Sequence, residues 1–350
     1  MALYFYFNET TGDLVYSNKS TYGASGYTSL GQQTNLDPRT MSQWVFNSKR
    51  ASIVSVTKDS TVTTKIGGLV SMMSMFSNCT SLTSIDLSGL DTSQVKPMNG
   101  AFSRCTALTS LDLSGLDTSQ ATDMTTMFSY CPSLIDLNLN DLDTSQVTDM
   151  TSMFSGCSSL TNLNLSRFNT SQVTEMANMF YNCSSLVSLD LSSFDTSRVE
   201  TMNSMFAGCS SLTSLDLSSF DTSRSGDLRF MFSNCTSLTS LDLSGFDTTR
   251  SGNFGGMFGS GPSLRLITIS DKVSFILPQL PADQYYPASG GDPVAKESLT
   301  AGTWIRDEDD LTKLTTLVEQ AQMSQAISRR ISMMYRDLSN RLNALEKQAS

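Results

Sequence analysis

Seven cysteines fall on one beat. Cys79, Cys105, Cys131, Cys157, Cys183, Cys209 and Cys235 are evenly spaced (105 − 79 = 26), and Gly261 takes the next place. Around each runs the same sentence, M-x-x-M-F-x-x-C-x-S-L-x-x-L-x-L-S-x-F-D-T-S, from Met72 to Gly261. A fixed period of this size means stacked coils. No coil can stand alone. Its about nine apolar side chains yield on the order of 2 kcal/mol each at full burial, while ordering its residues costs roughly 1.5 kcal/mol apiece. Only stacking lets both faces of a coil bury.

The two halves of a coil carry different periods. In the copy from Asp143 to Leu165, Leu160, Leu163 and Leu165 have strand spacing, with Asn162, Asn164 and Ser166 pointing out. Val147, Met150, Phe154 and Cys157 are spaced for one helical face. Thr148 is placed as an N-cap with Asp149 in the first turn, and Pro97 takes the Asp149 place in an earlier copy. Gly156 stands where a left-handed residue is wanted, as do Asn78, Asn182, Gly208 and Asn234. The spacing predicts a short strand, a D-T-S turn and a two-turn helix per coil. Strands about 4.8 Å apart against helices about 8–10 Å apart would make the strand side concave and the helix side convex.

The words Phe194 to Ser197, Met205 to Cys209 and Ser211 to Ser218 resemble leucine-rich repeats, and more closely the BspA-type repeats of bacterial surface proteins. That resemblance implies a curved α/β solenoid, roles in adhesion and display, and no catalytic residues.

Composition excludes several chemistries. The net charge of −10 speaks against nucleic acid, and a chain with no histidine has neither Ser-His-Asp nor Cys-His catalysis nor the commonest transition-metal ligand. The cysteines form one column. At a helix spacing of about 8–10 Å they would lie too far apart for disulfides, so they read as buried small apolar groups; zinc is not expected without a C-x-x-C. No cofactor and no metal site is expected. Two acidic columns recur: Asp86, Asp112, Asn138, Asn164, Asp190, Asp216 and Asp242, read as a solvated face rather than a calcium ladder; and Asp91, Asp117, Asp143, Asn169, Asp195, Asp221 and Asp247, read as turn-stabilising. The first residues, Met1 to Asn8, show neither a basic start nor a small-residue cleavage site, so no secretory signal and no membrane insertion is expected.

Four regions follow. Residues 1–70 form a β-rich head that caps the first coil or attaches to another protein, with a hairpin of Leu3 to Phe7 and Asp13 to Ser17, a loop from Tyr22 to Asp37, and a second hairpin of Ser52 to Val56 and Thr61 to Ile66. Residues 71–272 are the solenoid and 273–306 a loop-rich cap in which Gly302 to Arg306 is a closing strand. Residues 307–350, without Gly or Pro, form a helix of about 60 Å. Leu317, Ile331, Leu338 and Leu345 share one heptad position, and Leu314, Tyr335 and Leu342 another, as in a coiled coil between chains; a trimer is expected by analogy with particle fibres. One outward column changes from Gln94, Gln120, Gln146 and Gln172 to Arg198, Arg224 and Arg250, a candidate partner-binding stripe or a set of ion pairs with nearby aspartates.

An adhesin-like solenoid, no leader and an oligomerising helix together point to a non-enzymatic display protein. The first expectation is a bacteriophage virion surface, as a fibre or head-attached decoration protein that meets other virion proteins and a host cell-surface protein or glycan. The alternative is a BspA-type bacterial cell-surface adhesin.

Overall fold

The computed structural model describes residues 3–33, 47–249, 252–261, 264–273, 284–287, 294–295 and 302–305. Stacked coils run through it, numbered here 1 to 8 by the residues Cys79 to Gly261 that mark their beat. On one side six of the eight coils lay down a short parallel strand. These are β5 Ser84–Ile85, β6 Ser110–Asp112, β7 Asp136–Asn138, β8 Ser214–Asp216, β9 Ser240–Leu243 and β10 Leu266–Ile269. Leu111, Leu137, Leu215, Leu241, Leu243, Ile267 and Ile269 face the core, and the serines, most of the aspartates and Leu266 take the outward places, as the alternation requires.

The predicted helix does not form; among the described residues there is no α-helix. The Met-Phe-Cys half of each coil is a chain of tight turns. In coil 4, Met153 N–H donates to Met150 O (3.2 Å), Ser155 to Ser152 (3.1 Å) and Cys157 to Phe154 (3.1 Å). The alternate amides leave the coil: Met150 donates to Glu175 O, Ser152 to Ala177 O, Phe154 to Met179 O and Gly156 to Tyr181 O, all at 2.7–3.0 Å. A helix would spend those amides inside its own turns. Two left-handed residues four apart set this path, Ser152 (φ 57°) and Gly156 (φ 74°), and Asn78, Asn182, Gly208 and Asn234 share that conformation as their column predicts.

Without helices the expected reason for curvature disappears. The turn side packs as closely as a sheet: Phe76, Phe102, Phe128, Phe154, Phe180, Phe206, Phe232 and Phe258 stack with centroids 5.5–5.9 Å apart. It is also the continuous side. Parallel bridges run unbroken from Pro97 through Asp123, Asp149, Glu175, Thr201 and Asp227 to Asn253. The strand side pairs only in groups, β4 (Ser55–Lys58) with β5, β6 with β7, and β8–β9–β10, and lapses at Leu163 and Leu189.

The head closes the first coil. Strands β1 Leu3–Asn8 and β2 Asp13–Ser17 form the predicted hairpin, but β3 Tyr27–Gln33 pairs with β1 where a loop was expected. The second hairpin is replaced. β4 Ser55–Lys58 runs parallel to β2 and to β5, so the sheet order β3-β1-β2-β4-β5 continues straight into the solenoid. Residues 61–66 contribute only a bridge from Ile66 to Leu90. Buried Tyr16 accepts a hydrogen bond from Gly89 N–H (3.0 Å) across this junction.

Arg50, at the end of a 3-10 helix Asn47–Ser52, supplies what a preceding coil would. The carbonyls of Ala101 and Ser103 accept amides from coil 1; their counterparts in coil 1, Met75 and Ser77, have no coil before them. The Arg50 guanidinium donates to both, at 2.9 and 2.6 Å, while Asn47 Oδ1 accepts its Nε–H. At the other end β13 Gly302–Ile305 lies antiparallel to β10, the predicted closing strand, and pairs with β11 Gln284–Pro287, which pairs with β12 Val294–Ala295.

Candidate functional site

The conserved letters of the repeat prove to be fasteners between coils. The threonine of D-T-S is the chief one. Thr144 Oγ1 donates to Asn169 O (3.0 Å) and accepts Asn169 N–H (2.8 Å), and it is 1% exposed. Thr92, Thr118, Thr170, Thr196 and Thr222 make the same double contact one coil on. Sequence reasoning missed this role, although a threonine follows every Asp or Asn of that column. A side chain needed only for a surface turn would vary between Ser and Thr.

The preceding aspartates do what their column predicts. Asp117 Oδ1 accepts the amide (3.0 Å) and hydroxyl (2.7 Å) of Ser119, and the hydroxyl bond holds the carboxyl below its ordinary range; Asp91, Asp195 and Asp247 are lowered in the same way. The other acidic column also serves turns. Asp86, Asp112, Asp190 and Asp242 each accept an amide two residues on. Among the described residues no cluster of three or more acidic or cysteine side chains could hold a metal.

All seven cysteines are free and buried. Each from Cys105 to Cys235 donates its S–H to the phenylalanine carbonyl 29 residues earlier, at 3.0–3.2 Å. Burial pushes Cys131 up to about 11 and Cys79 and Cys235 up to about 12, and raises the other four. A thiol so held is a core group, not a nucleophile. The helix spacing that argued against disulfides does not hold; from Cys105 to Cys235 what occupies each thiol is its carbonyl partner.

Arg198 and Arg224 are exposed on one edge of the stack. Arg198 Nη1 donates to Gln172 Oε1 (3.0 Å), the preceding member of its column, rather than forming an ion pair. Arg250 and the heptad residues Leu314, Leu317, Ile331, Tyr335, Leu338, Leu342 and Leu345 lie outside the described residues. Near the Arg224 end a cleft of about 310 Å³ is lined by Asp221, Asp247, Asp271 and Lys272, with Lys272 Nζ 3.4 Å from Asp247 Oδ2. Among the described residues no helix is long and apolar enough to cross a membrane.

Comparison with protein families matches residues 41–162 and 158–267 to "Mycoplasma protein of unknown function, DUF285". The chain belongs to the DUF285 family. The matched residues run from within the head to the last coil and cover the solenoid described above, and a BspA-like repeat family is the one the motifs indicated. Among solved structures, a leucine-rich repeat protein from Bacteroides ovatus is similar, at 16% identity and a TM-score of 0.37 over 77% of this chain and 70% of that one. No curated protein matches this DUF285 chain.

Proposed function

We propose that this DUF285 chain is a non-enzymatic adhesion and display protein whose solenoid offers its outward columns to a host cell-surface protein or glycan. One observation carries this. The recurring groups that could do chemistry are engaged in stacking: the thiols are buried on carbonyls, and the turn aspartates are taken up by amides and hydroxyls. What the coils leave available is a long, regular outer surface of Ser, Thr, Asn and Asp. The placement read here is a bacterial cell surface, with the virion surface as the second reading.

Binding of the purified full chain to host cells and to immobilised cell-surface proteins and glycans tests adhesion. Saturable retention is expected, and no retention on any such surface would refute it. Antibody labelling of intact cells of the source organism, against labelling of purified phage particles, tests placement. For residues 307–350 we keep the coiled-coil assignment. Light scattering of the full chain should give a mass that is a multiple of the chain mass, falling to one chain when those residues are removed.

A further inference from the structure

In a stack of near-identical coils the consensus records what stacking needs, so departures that gather in one place point elsewhere. One column holds Asn78, Arg104, Tyr130, Gly156, Asn182, Gly208, Asn234 and Ser260, and all of these have positive φ. Asn and Gly suit that conformation; Arg and Tyr do not. Yet Arg104 (φ 61°) and Tyr130 (φ 57°) sit in adjacent coils. The column beside it reads Ser77, Ser103, Ser129, Ser155, Tyr181, Ala207 and Ser233, and its one large member falls in coil 5.

These departures meet. The Arg104 guanidinium lies 5.3 Å from the Tyr130 ring centroid. The Tyr130 ring leans onto Gly156 of the next coil, where a Cβ would come within 3.0 Å of Tyr130 Cδ1. Gly156 N–H donates to Tyr181 O (2.7 Å), so the Tyr181 backbone lies one coil further along the same edge. Ser129 and Ser155 are buried here, whereas Ser77, Ser103 and Ser233 are half-buried. Tyr130 nevertheless stays 49% exposed. Arg104 is exposed and has no carboxylate partner among the described residues, in a chain of net charge −10. A bulky residue held in the left-handed region costs of order 1–3 kcal/mol; Phe230 (φ 56°), likewise 49% exposed, bears that cost too, so what sets this place apart is the arginine beside the ring.

We propose that Arg104, Tyr130 and Tyr181 form a binding platform for an oligosaccharide that carries a carboxylate. The aromatic surface that Arg104 and Gly156 leave exposed takes the apolar face of a sugar, as aromatic side chains with a polar tip do at interfaces. The guanidinium fork takes the carboxylate in a bidentate contact. From coil 2 to coil 5 the platform spans three junctions, about 15 Å at roughly 4.8 Å each, room for several linked sugars rather than one ring. This names the ligand class for the adhesion proposed above and rests on that proposal.

The test replaces each departure by the residue its own column uses elsewhere: Arg104→Asn, Tyr130→Asn and Tyr181→Ser. These variants should melt no lower than the parent, since each restores a consensus contact and the first two relieve left-handed strain. Titration calorimetry of the full chain uses trigalacturonate, 3′-sialyllactose and neutral lactose. The parent should bind a carboxylated probe over lactose, and the two acidic probes distinguish a uronate from a sialoside. Tyr130→Asn and Tyr181→Ser should each weaken binding by about tenfold or more, and Arg104→Asn should abolish the preference for the acid. If neither acidic probe binds, or the folded variants bind as the parent does, the platform is wrong. In that case, continued retention of parent and variants on host cells would leave adhesion standing, and loss of all retention would remove both.

Discussion

Replacing Thr144 by valine tests the fastener directly. Valine keeps the shape, so no cavity opens, but the hydroxyl that serves both the carbonyl and the amide of Asn169 is lost. Two backbone groups then sit unpaired beside a site that is 1% exposed. Each such group costs about 1–3 kcal/mol when left without a partner, and the exposure of Asn169 argues for the lower half of that range. The expected loss is about 2–4 kcal/mol. Thr144→Ser keeps the hydroxyl and gives up one methyl, so it should lose only about 1 kcal/mol. Urea unfolding followed by circular dichroism, with the slope checked for constancy, measures both. A stack can open locally, so a fall in slope would itself report a break at the coil 4–5 junction. If Thr144→Val unfolds within about 0.5 kcal/mol of the parent while Thr144→Ser does likewise, the threonine column is not what joins the coils.

Three further outcomes follow from the same geometry. Arg50→Met should remove the donors to Met75 O and Ser77 O and lower stability by about 2–3 kcal/mol, with faster amide exchange in coil 1 than in coil 4; Arg50→Lys should not restore it, because an ammonium lacks the planar fork. Hydrogen exchange should be slow at Met150, Ser152 and Phe154 and fast at Leu163, Asn164 and Leu189, since only the turn side is continuously bonded; equal protection on both sides would refute the lapse. The chain should weaken at both pH extremes. The raised thiols contribute stability that is full below the unfolded thiol value near about 8.5 and is lost as pH rises towards the folded values, about 11 for Cys131. The lowered carboxyls of Asp91, Asp117, Asp195 and Asp247 contribute stability that is full above about pH 4 and is lost as pH falls. A midpoint of urea unfolding that stays flat from pH 3 to pH 10 would contradict both assignments.

The period, the buried columns and the left-handed places at Asn78, Gly156 and Asn182 were all legible in the chain, because each depends on a residue type repeated at a fixed distance. The Arg104–Tyr130 platform was legible only as two odd letters in a column; its meaning comes from the ring resting on Gly156 of the next coil. The helix was the clear misreading. Val147, Met150, Phe154 and Cys157 have helical spacing, but a run of turns repeats its inward positions at nearly the same interval, so periodicity alone cannot tell them apart. The choice is made by where the amides of Met150, Ser152 and Phe154 go. They find carbonyls one coil away, 25 residues on in sequence, and local patterns carry no trace of that partner. So the chain by itself determined that coils stack and which side chains they bury. Only the tertiary structure decided that the turn side is the continuous ladder, since a hydrogen bond between coils exists only once the next coil is in place.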